Sequence, residues 1–455
     1  MKLEFTRVEQ FVGATTRHPM TVAVKLGARR DGTLTAIQMH VISNTGAYGN
    51  HGGGVLFHGT NESVSLYRAP HKKIDGYAVY TNTVPAGAFR GYGLSQTNFA
   101  VESAMDELAR ALGIDPFALR RINMVRPGDP MVSTGTGLHD VEYGSYGLDQ
   151  CLDLVEGALA RQPKAEIGRD WLVGRGMATA MIDTIPPRGH LAESRITWQG
   201  DGTYDLQVGI AEFGNGSTTV HLQIAADVLG TTPDRIRLKQ ADTDRIGHDT
   251  GAYGSTGTVV AGQATERAAR ALKSMIEAGG TAPLTATGEA GGTPRSVAFN
   301  VQGFEVAVHR QTGELKILRS VHAADAGTVI NPLQCRGQIE GGVAQAIGAA
   351  LYEEVLVDAD GAVENPTFRG YHIPAFADVP RTEVLFAATH DSIGPMGAKS
   401  MSESPYNPVA AALANAIRDA TGVRFAATPF AADRIFAAVL AHNRGAVSGD
   451  DKGVG

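Results

Sequence analysis

Cysteine is scarce in this chain: 455 residues hold two, Cys151 and Cys335. Two thiols allow at most one disulfide and cannot build a four-thiolate cluster, so the chain carries no iron–sulfur centre of its own. So few cysteines fit a reducing, cytoplasmic setting. Basic runs and aromatic–basic stripes are missing, and the net charge is -7. Nucleic acid is therefore not an expected partner. No apolar stretch approaches the ~20 residues that cross a bilayer, and the opening MKLEFTRVEQF lacks the apolar run of a secretory leader. Several routes to catalysis are also missing. There is no GxSxG elbow, no HExxH and no Cys–His metal spacing, and the 14 histidines are scattered.

Glycine, by contrast, is abundant at 56 residues. It lets a backbone turn sharply and approach a ligand closely, so many loops here are expected to do more than connect. The length suggests two or three domains. Residues 21–48 alternate apolar and polar around Asp31-Gly32, a hairpin signal that recurs at 196–208 and 304–318. Near-helical spacing of Phe99, Val101, Met105, Leu108 and Leu112 predicts a helix over 98–112. Asp115-Pro116 opens another, with Asp as N-cap. Further helices are predicted at 147–160, 218–229, 258–278, 335–351, 408–420 and 431–440. The irregular alternation argues for mixed α/β layers, an α+β fold in several lobes. Residues 126–147 and 279–294 read as breaks, the second as a flexible loop, and the tail from about Ala446 as disordered.

Five segments could carry chemistry. AFRGYG, 88–93, sets Arg90 beside Tyr92. Taken alone, it is more simply a tight turn with an exposed arginine than a guanidinium aimed at a bound anion. EFGNGS, 212–217, runs from strand to helix with Ser217 as the expected cap, and AYGSTGT, 252–258, precedes another helix. Such turns offer N–H groups to an anion, yet neither matches a known phosphate loop. Together they make a phosphate-bearing cofactor and ordinary helix capping equally good readings. ADAGTVINPLQCRGQIEGGVAQAIG, 324–348, scatters Asp325, Asn331, Gln338, Glu340 and Gln345 among glycines, which suits a heterocycle rich in donors and acceptors. Glu403, in GAKSMSESPYNPVAAALANAI, is either a carboxylate opening a helix or a general base in a pocket; the residues leave that even.

In this order the segments resemble the molybdenum hydroxylase large subunit of the xanthine dehydrogenase and aldehyde oxidase type. AFRGYGLSQ is similar to that family's AFRGFGGPQ loop, EFGNGS to its EMGQG turn, and DTDRIGHDTGAYGSTGT to the loop over the pterin phosphate. AADAGTVINPLQCRGQIEGGVAQAIG resembles its Asn-Pro…Gly-Gln-Ile-Glu-Gly signature, and KSMSESPYNPVAAALANAI its Gly-Glu-x-Pro loop. The resemblance implies molybdopterin with molybdenum held by the dithiolene and no direct protein ligand, the cytosine dinucleotide form being one option. It implies Glu403 as general base with Arg90 beside the metal centre, and Tyr92, Glu9 and His58 at the substrate. Phe89, Gly91, Gly214, Asn215, Gly216, Ser255, Thr256, Gly257, Thr258 and Gln338 would hold the cofactor. Residues 1–145 would complete a first molybdopterin-binding domain. Residues 146–445 would form a second, with lobes at about 146–283 and 294–445, before a flexible tail at 446–455.

The implied function is hydroxylation of an aromatic N-heterocycle or an aldehyde with water-derived oxygen. The alternative is a catalytically silent, partner-binding relic. Implied partners are the N-terminal half of the subunit, an iron–sulfur subunit with [2Fe–2S] clusters, and an FAD subunit. Departures from the family pattern exist. Ser402 stands where Gly usually precedes the glutamate, and Asn215 replaces a Gln. Where purine-oxidising members place an Arg, GVLFHGT offers His58 as the nearest candidate. The family's several hundred preceding residues, with a GGGFGG loop, have no counterpart here, as expected of a split or truncated subunit.

Overall fold

A computed structural model describes residues 3–130, 140–183 and 190–449. The chain opens with a short helix, α1 (Arg7–Gly13), and then a three-stranded sheet. Its strands are β1 (Met20–Ala28), β2 (Leu34–Gly46) and β3 (His71–Tyr80), with β1 antiparallel and β3 parallel to β2. The crossover between β2 and β3 is α2 (Gly52–Ser65). Two helices follow, α3 (Leu94–Leu112) and α4 (Pro116–Asn123), the latter capped by the Asp115 carboxylate on the N–H groups of Phe117 and Ala118.

The central sheet is assembled from distant pieces: β4 (Val141–Glu142), β5 (Trp171–Asp183), β10 (Arg295–His309), β11 (Leu315–Ala324) and β12 (Thr382–Phe386). Between β4 and β5 lies α5 (Leu148–Ala160). β10 is buried along almost its whole length and divides two cores. Val297, Phe299 and Val301 face the side of α5 and the first sheet. Ala298, Phe304, Val306 and Val308 face α8 (Pro332–Leu351) and α9 (Val409–Thr421). This alternation is what a strand buried on both faces requires. A third core lies under a separate four-stranded sheet of β6 (Leu191–Trp198), β7 (Tyr204–Val208), β8 (Ile236–Gln240) and β9 (Leu284–Gly291), covered by α6 (Ser217–Leu229) and α7 (Gly262–Glu277). The last helix, α10, spans Ala432–Gly449.

The mixed α/β expectation agrees with this architecture. All three hairpins are present, as β1–β2, β6–β7 and β10–β11. Three local readings need correction. α1 and α2 are helices with no counterpart in the periodicity; α2 begins with three glycines, and burial against α3, with the Thr97 hydroxyl on the Gly59 carbonyl at 2.6 Å, holds it. The supposed flexible loop at 279–294 contains β9. Its small residues let a strand lie directly on α7: a Cβ at Gly288 would come within 2.3 Å of the Ala264 carbonyl. α10 runs beyond residue 440 and through Ala446, the start of the expected tail. Residues 131–139 of the first break, and the tail from 450 on, lie outside the described residues. Among the described residues, no helix is long and apolar enough to cross a membrane.

Candidate functional site

The loops that open α3, α6, α7 and α9 converge, together with α2, α8 and the end of β5, on one cavity of about 360 Å³. Of the residues singled out above, His58, Phe89, Arg90, Tyr92, Gly214, Asn215, Ser255, Gln338 and Glu403 line it. Glu403 begins a 3-10 turn, Ser404–Tyr406, just before α9. Its Oε2 accepts from the Ser255 hydroxyl at 3.2 Å, and the same Oγ lies 3.2 Å from the Glu403 N–H. Burial pushes the Glu403 carboxyl above the usual glutamate range, and Ser255, His58, Arg90 and Arg17 pull it part of the way back. Ser255 holds φ at 63°, a left-handed conformation rarely adopted by serine. Such strain is commonly found where a site over-determines the backbone.

Arg90 is a bolt between three segments. Its Nε donates to the Ser402 carbonyl at 2.5 Å, and its Nη2 to the Gln338 carbonyl at 2.8 Å and to Gln338 Oε1 at 3.3 Å. α8 admits it through glycine: a Cβ at Gly342 would stand 3.3 Å from the Arg90 guanidinium carbon. Beneath it lies Arg17, which none of the five segments above contains. Its guanidinium is sandwiched between the rings of Phe89 and Tyr406, 4.4 and 4.3 Å from their centroids, and it donates to the Arg90 carbonyl at 2.6 Å and the Ser95 hydroxyl at 3.1 Å. Arg17 thus joins the Arg90 loop to the turn that carries Glu403, segments far apart in the sequence.

Tyr92 has φ 43° and its hydroxyl is 2.8 Å from His51 Nδ1. Burial, and then the charge of Glu403, push that phenol up to about 12, so it stays protonated across ordinary pH. Phe213 and Tyr253 also line the cavity while remaining well exposed. At the inner wall, His58 Nδ1 lies 2.6 Å from Glu62 Oε1 and 3.6 Å from Asp183 Oδ1. These three are the group of His and acidic side chains, among the described residues, close enough to share a metal ion, with ligand atoms within 4.8 Å of one another. Asp183 also receives Arg295 Nη1 at 2.6 Å.

Other expected residues lie elsewhere. Glu9 is not in the cavity. Thr6-Arg7-Val8-Glu9 forms a capping box, with Glu9 Oε2 accepting from the Thr6 N–H at 2.7 Å and Thr6 Oγ at 2.8 Å, on the exposed α1. The spacing of threonine and glutamate was the overlooked signal. Glu9→Ala is therefore expected to leave kcat and KM within about twofold; a much larger rise in KM would return Glu9 to the substrate. Thr256 is turned inward, its hydroxyl on the Gly251 and Tyr253 carbonyls. Gly91 is buried and, like Gly216, is not part of the cavity wall.

Ser217 is the first residue of α6, not its cap, and Gly216 holds the cap position. The expected anion site at this turn is already filled from within. Glu212 accepts from the N–H groups of Gly214, Gly216 and Thr218 and from Ser217 Oγ. Burial raises its carboxyl, but these donors outweigh it and bring the group down to about 2. In the 324–348 segment, Asp325 is fully buried on Lys399 at 2.6 Å, and Glu340 pairs with Arg336 at 2.8 Å. Both are explained by structure.

The cavity continues past Asn215, Ser255, Gln338 and Ser402 into a narrower cleft of about 110 Å³. Gly257, Thr258, Asn331, Gln334 and Ser400 line this part, and Gln334 Oε1 is buried there without a partner. Its polar side chains are mostly amides and hydroxyls, and the one charged group, Lys399, is already paired with Asp325. That suits a ring system rich in heteroatoms and suits a directly ligated metal poorly.

Comparison with known proteins agrees with this geometry. A molybdopterin cofactor-binding domain model matches residues 1–124, and a second such model matches 150–290 and 277–380. The chain is 32% identical, over 488 aligned positions, to the xanthine dehydrogenase molybdenum-binding subunit of Escherichia coli O157:H7, covering 96% of this chain and 64% of that one. It is 30% identical to the aldehyde oxidoreductase molybdenum-binding subunit PaoC of Escherichia coli K12, covering 92% and 61%. Among solved structures, quinoline 2-oxidoreductase from Pseudomonas putida 86 superposes with a TM-score of 0.85 at 26% identity, covering 96% and 64%. The aldehyde oxidoreductase of Desulfovibrio gigas gives 0.83 at 26%, covering 96% and 51%. The chain thus spans roughly half to two thirds of the proteins it matches.

Proposed function

The chain belongs to the molybdopterin cofactor-binding family, and we propose that it carries the base and the substrate cavity of a molybdenum hydroxylase. The reaction is hydroxylation of an aromatic N-heterocycle or an aldehyde with water-derived oxygen. The observation that carries this reading is Glu403: a half-buried carboxylate held by Ser255 where a roomy cavity meets a cleft lined largely by amides and hydroxyls. When bound, the molybdenum cofactor supplies the two-electron redox chemistry. Asn215, Thr258, Gln334 and Gln338 would hold it, whether in mononucleotide or cytosine dinucleotide form.

The chain's own residues prepare the proton transfer. Burial raises the proton affinity of Glu403 towards the operating pH, which favours a general base. Ser255 Oγ fixes which carboxylate oxygen remains free to accept. Arg90 and Arg17 tie the surrounding loops together, so the base need not reorganise during the reaction. Phe89, Tyr92, Phe213 and Tyr253 offer flat faces to a planar substrate and exclude water once it is bound. The active assembly would include the rest of the family's subunit, in this polypeptide or another, with [2Fe–2S] and FAD subunits in the cytoplasm.

Elemental mass spectrometry of the native complex and of this chain alone tests the reading. The complex is expected to hold close to one molybdenum per chain, and the isolated chain much less. A complex without molybdenum, from cells that make the cofactor, would leave a silent family relic.

A further inference from the structure

A separate pocket of about 360 Å³ takes no part in the chemistry above and shares no lining residue with the cavity or the cleft. It lies where the start of β2, the end of α2, the start of β3 and the end of α4 meet. Leu34, Ala69, Pro70, Ile122, Val125 and Pro130 give it an apolar wall. Two cations, Lys72 and Arg68, and one carboxylate, Asp129, make up its charged lining. α2 joins it to the catalytic cavity, presenting Ser65 here and His58 there.

Lys72 is the informative group. Its half-buried ammonium donates to the Val64 carbonyl at 3.0 Å. That carbonyl is free because α2 has ended: the Arg68 N–H, which would bond it in a longer helix, goes to the Asn123 carbonyl at 2.7 Å. The negative end of α2 thus steadies Lys72, yet occupies one of its three N–H donors. Asp129 attracts it only from beyond ion-pair distance and is itself engaged. Its Oδ2 accepts from the Arg126 N–H at 2.7 Å and faces Arg68 Nε at 3.8 Å. Burial accordingly brings the Lys72 ammonium down to about 8, with Asp129 pulling it part of the way back. Arg68 donates from Nη2 to the Ile122 carbonyl at 2.8 Å, and its Nη1 has no partner among the described residues. Two cations against one carboxylate leave the pocket with a surplus positive charge, which an anion would offset.

The geometry points to a second ligand site, one that takes a small monocarboxylate with an apolar body. Its carboxylate would lie on Lys72 and Arg68, and its body against Leu34, Ile122 and Val125. A bare inorganic oxyanion would answer the charge and leave the apolar wall to water. A neutral ring would cover the wall and leave the charge. At about 30 Å³ for each water-sized group, the volume admits a single-ring acid. Binding here needs no molybdenum, so it stands or falls apart from the proposed reaction.

The test is protection of Lys72 from acetylation in the native complex, read by peptide mass spectrometry, which separates this pocket from the catalytic cavity. Benzoate, benzyl alcohol and inorganic phosphate are the probes, and the exposed neighbour Lys73 is the internal reference. Benzoate at about ten times its Kd should slow acetylation of Lys72 about tenfold, with Lys73 changed less than about twofold, because only the free site reacts. Benzyl alcohol lacks the charge and phosphate lacks the apolar body, so each should protect about tenfold more weakly. Arg68→Gln should raise the half-protecting benzoate concentration about tenfold, the scale of one charge-assisted hydrogen bond. The Arg68 side chain is 41% exposed, so this variant is expected to fold. Were it not to fold, the three probes on wild type decide. The inference is overturned if benzoate leaves Lys72 unprotected, or if benzyl alcohol or phosphate protects as well as benzoate. Equal slowing of Lys73, unchanged protection in Arg68→Gln, or a Lys72 already closed to reagent in the ligand-free complex would overturn it too.

Discussion

Glu403→Gln is expected to lower kcat by about 10²- to 10⁴-fold, the range that a positioned general base contributes, with molybdenum content unchanged. Gln is nearly isosteric and its carbonyl oxygen can still accept from Ser255 Oγ, so the loop and cavity should persist. What disappears is the ability to take a proton. The wild-type pH profile follows from the same environment. Burial raises the Glu403 carboxyl, and a base must be ionised to act. Activity should therefore be present above the folded-state pKa and fall as pH drops through it, with the acid limb of kcat/KM above the range of an ordinary glutamate. Ser255→Ala removes a donor that favours the ionised form and should move that limb further up. Steady-state kinetics of the native complex across pH checks both. If Glu403→Gln retains a tenth of the wild-type rate, Glu403 is not the base.

The second large effect lies in the scaffold. Glu102 and Arg120 are completely buried, 2.9 Å apart. Glu102 also accepts from the Tyr67 hydroxyl and, at 2.7 Å, from the Thr179 N–H on β5. Through these contacts α3, α4, the segment before β3 and the central sheet share one carboxylate. Glu102→Ala leaves a buried guanidinium without its charge partner and removes the carboxylate that the Tyr67 phenol donates to, and is expected to cost about 3–5 kcal/mol. A chain with three cores need not unfold in one step, so the probe should be local. The two tryptophans provide this, since Trp171 lies on β5 and Trp198 on β6 of the separate sheet. In a Trp198→Phe background, the urea midpoint reported by Trp171 should drop sharply. Trp198 fluorescence in a Trp171→Phe background should shift much less. Equal shifts would mean that the two sheets unfold as one unit.

Local pattern was a good guide wherever neighbours in sequence decide the outcome. The Asp31-Gly32 hairpin, the Asp115-Pro116 helix start and the spacing along α3 depend on turn chemistry and on one repeating apolar face, both legible in a short window. The ordered motifs likewise identified the family, and Arg90, Tyr92, Gln338 and Glu403 do meet at one cavity. Where local pattern misled, a distant contact had the deciding role. β9 looks like a loop until α7 lies on Gly288, and α2 looks too glycine-rich for a helix until it packs on α3. Glu9 seemed a pocket residue because its motif was weighed above its own capping box.

By itself, then, the sequence determined most of the elements, the family and Glu403 as the expected base, because each is written in short-range pattern or in motif order. Only the tertiary structure decided which polar groups are free to act. Glu212 uses up the N–H groups of its turn, Arg90 is bound to carbonyls from two other segments, and Asp183 and Glu62 stand behind His58. The physical reason is that a polar group's availability depends on whether another part of the chain already satisfies it. In this chain the partners that satisfy Arg90 stand 312 and 248 residues away.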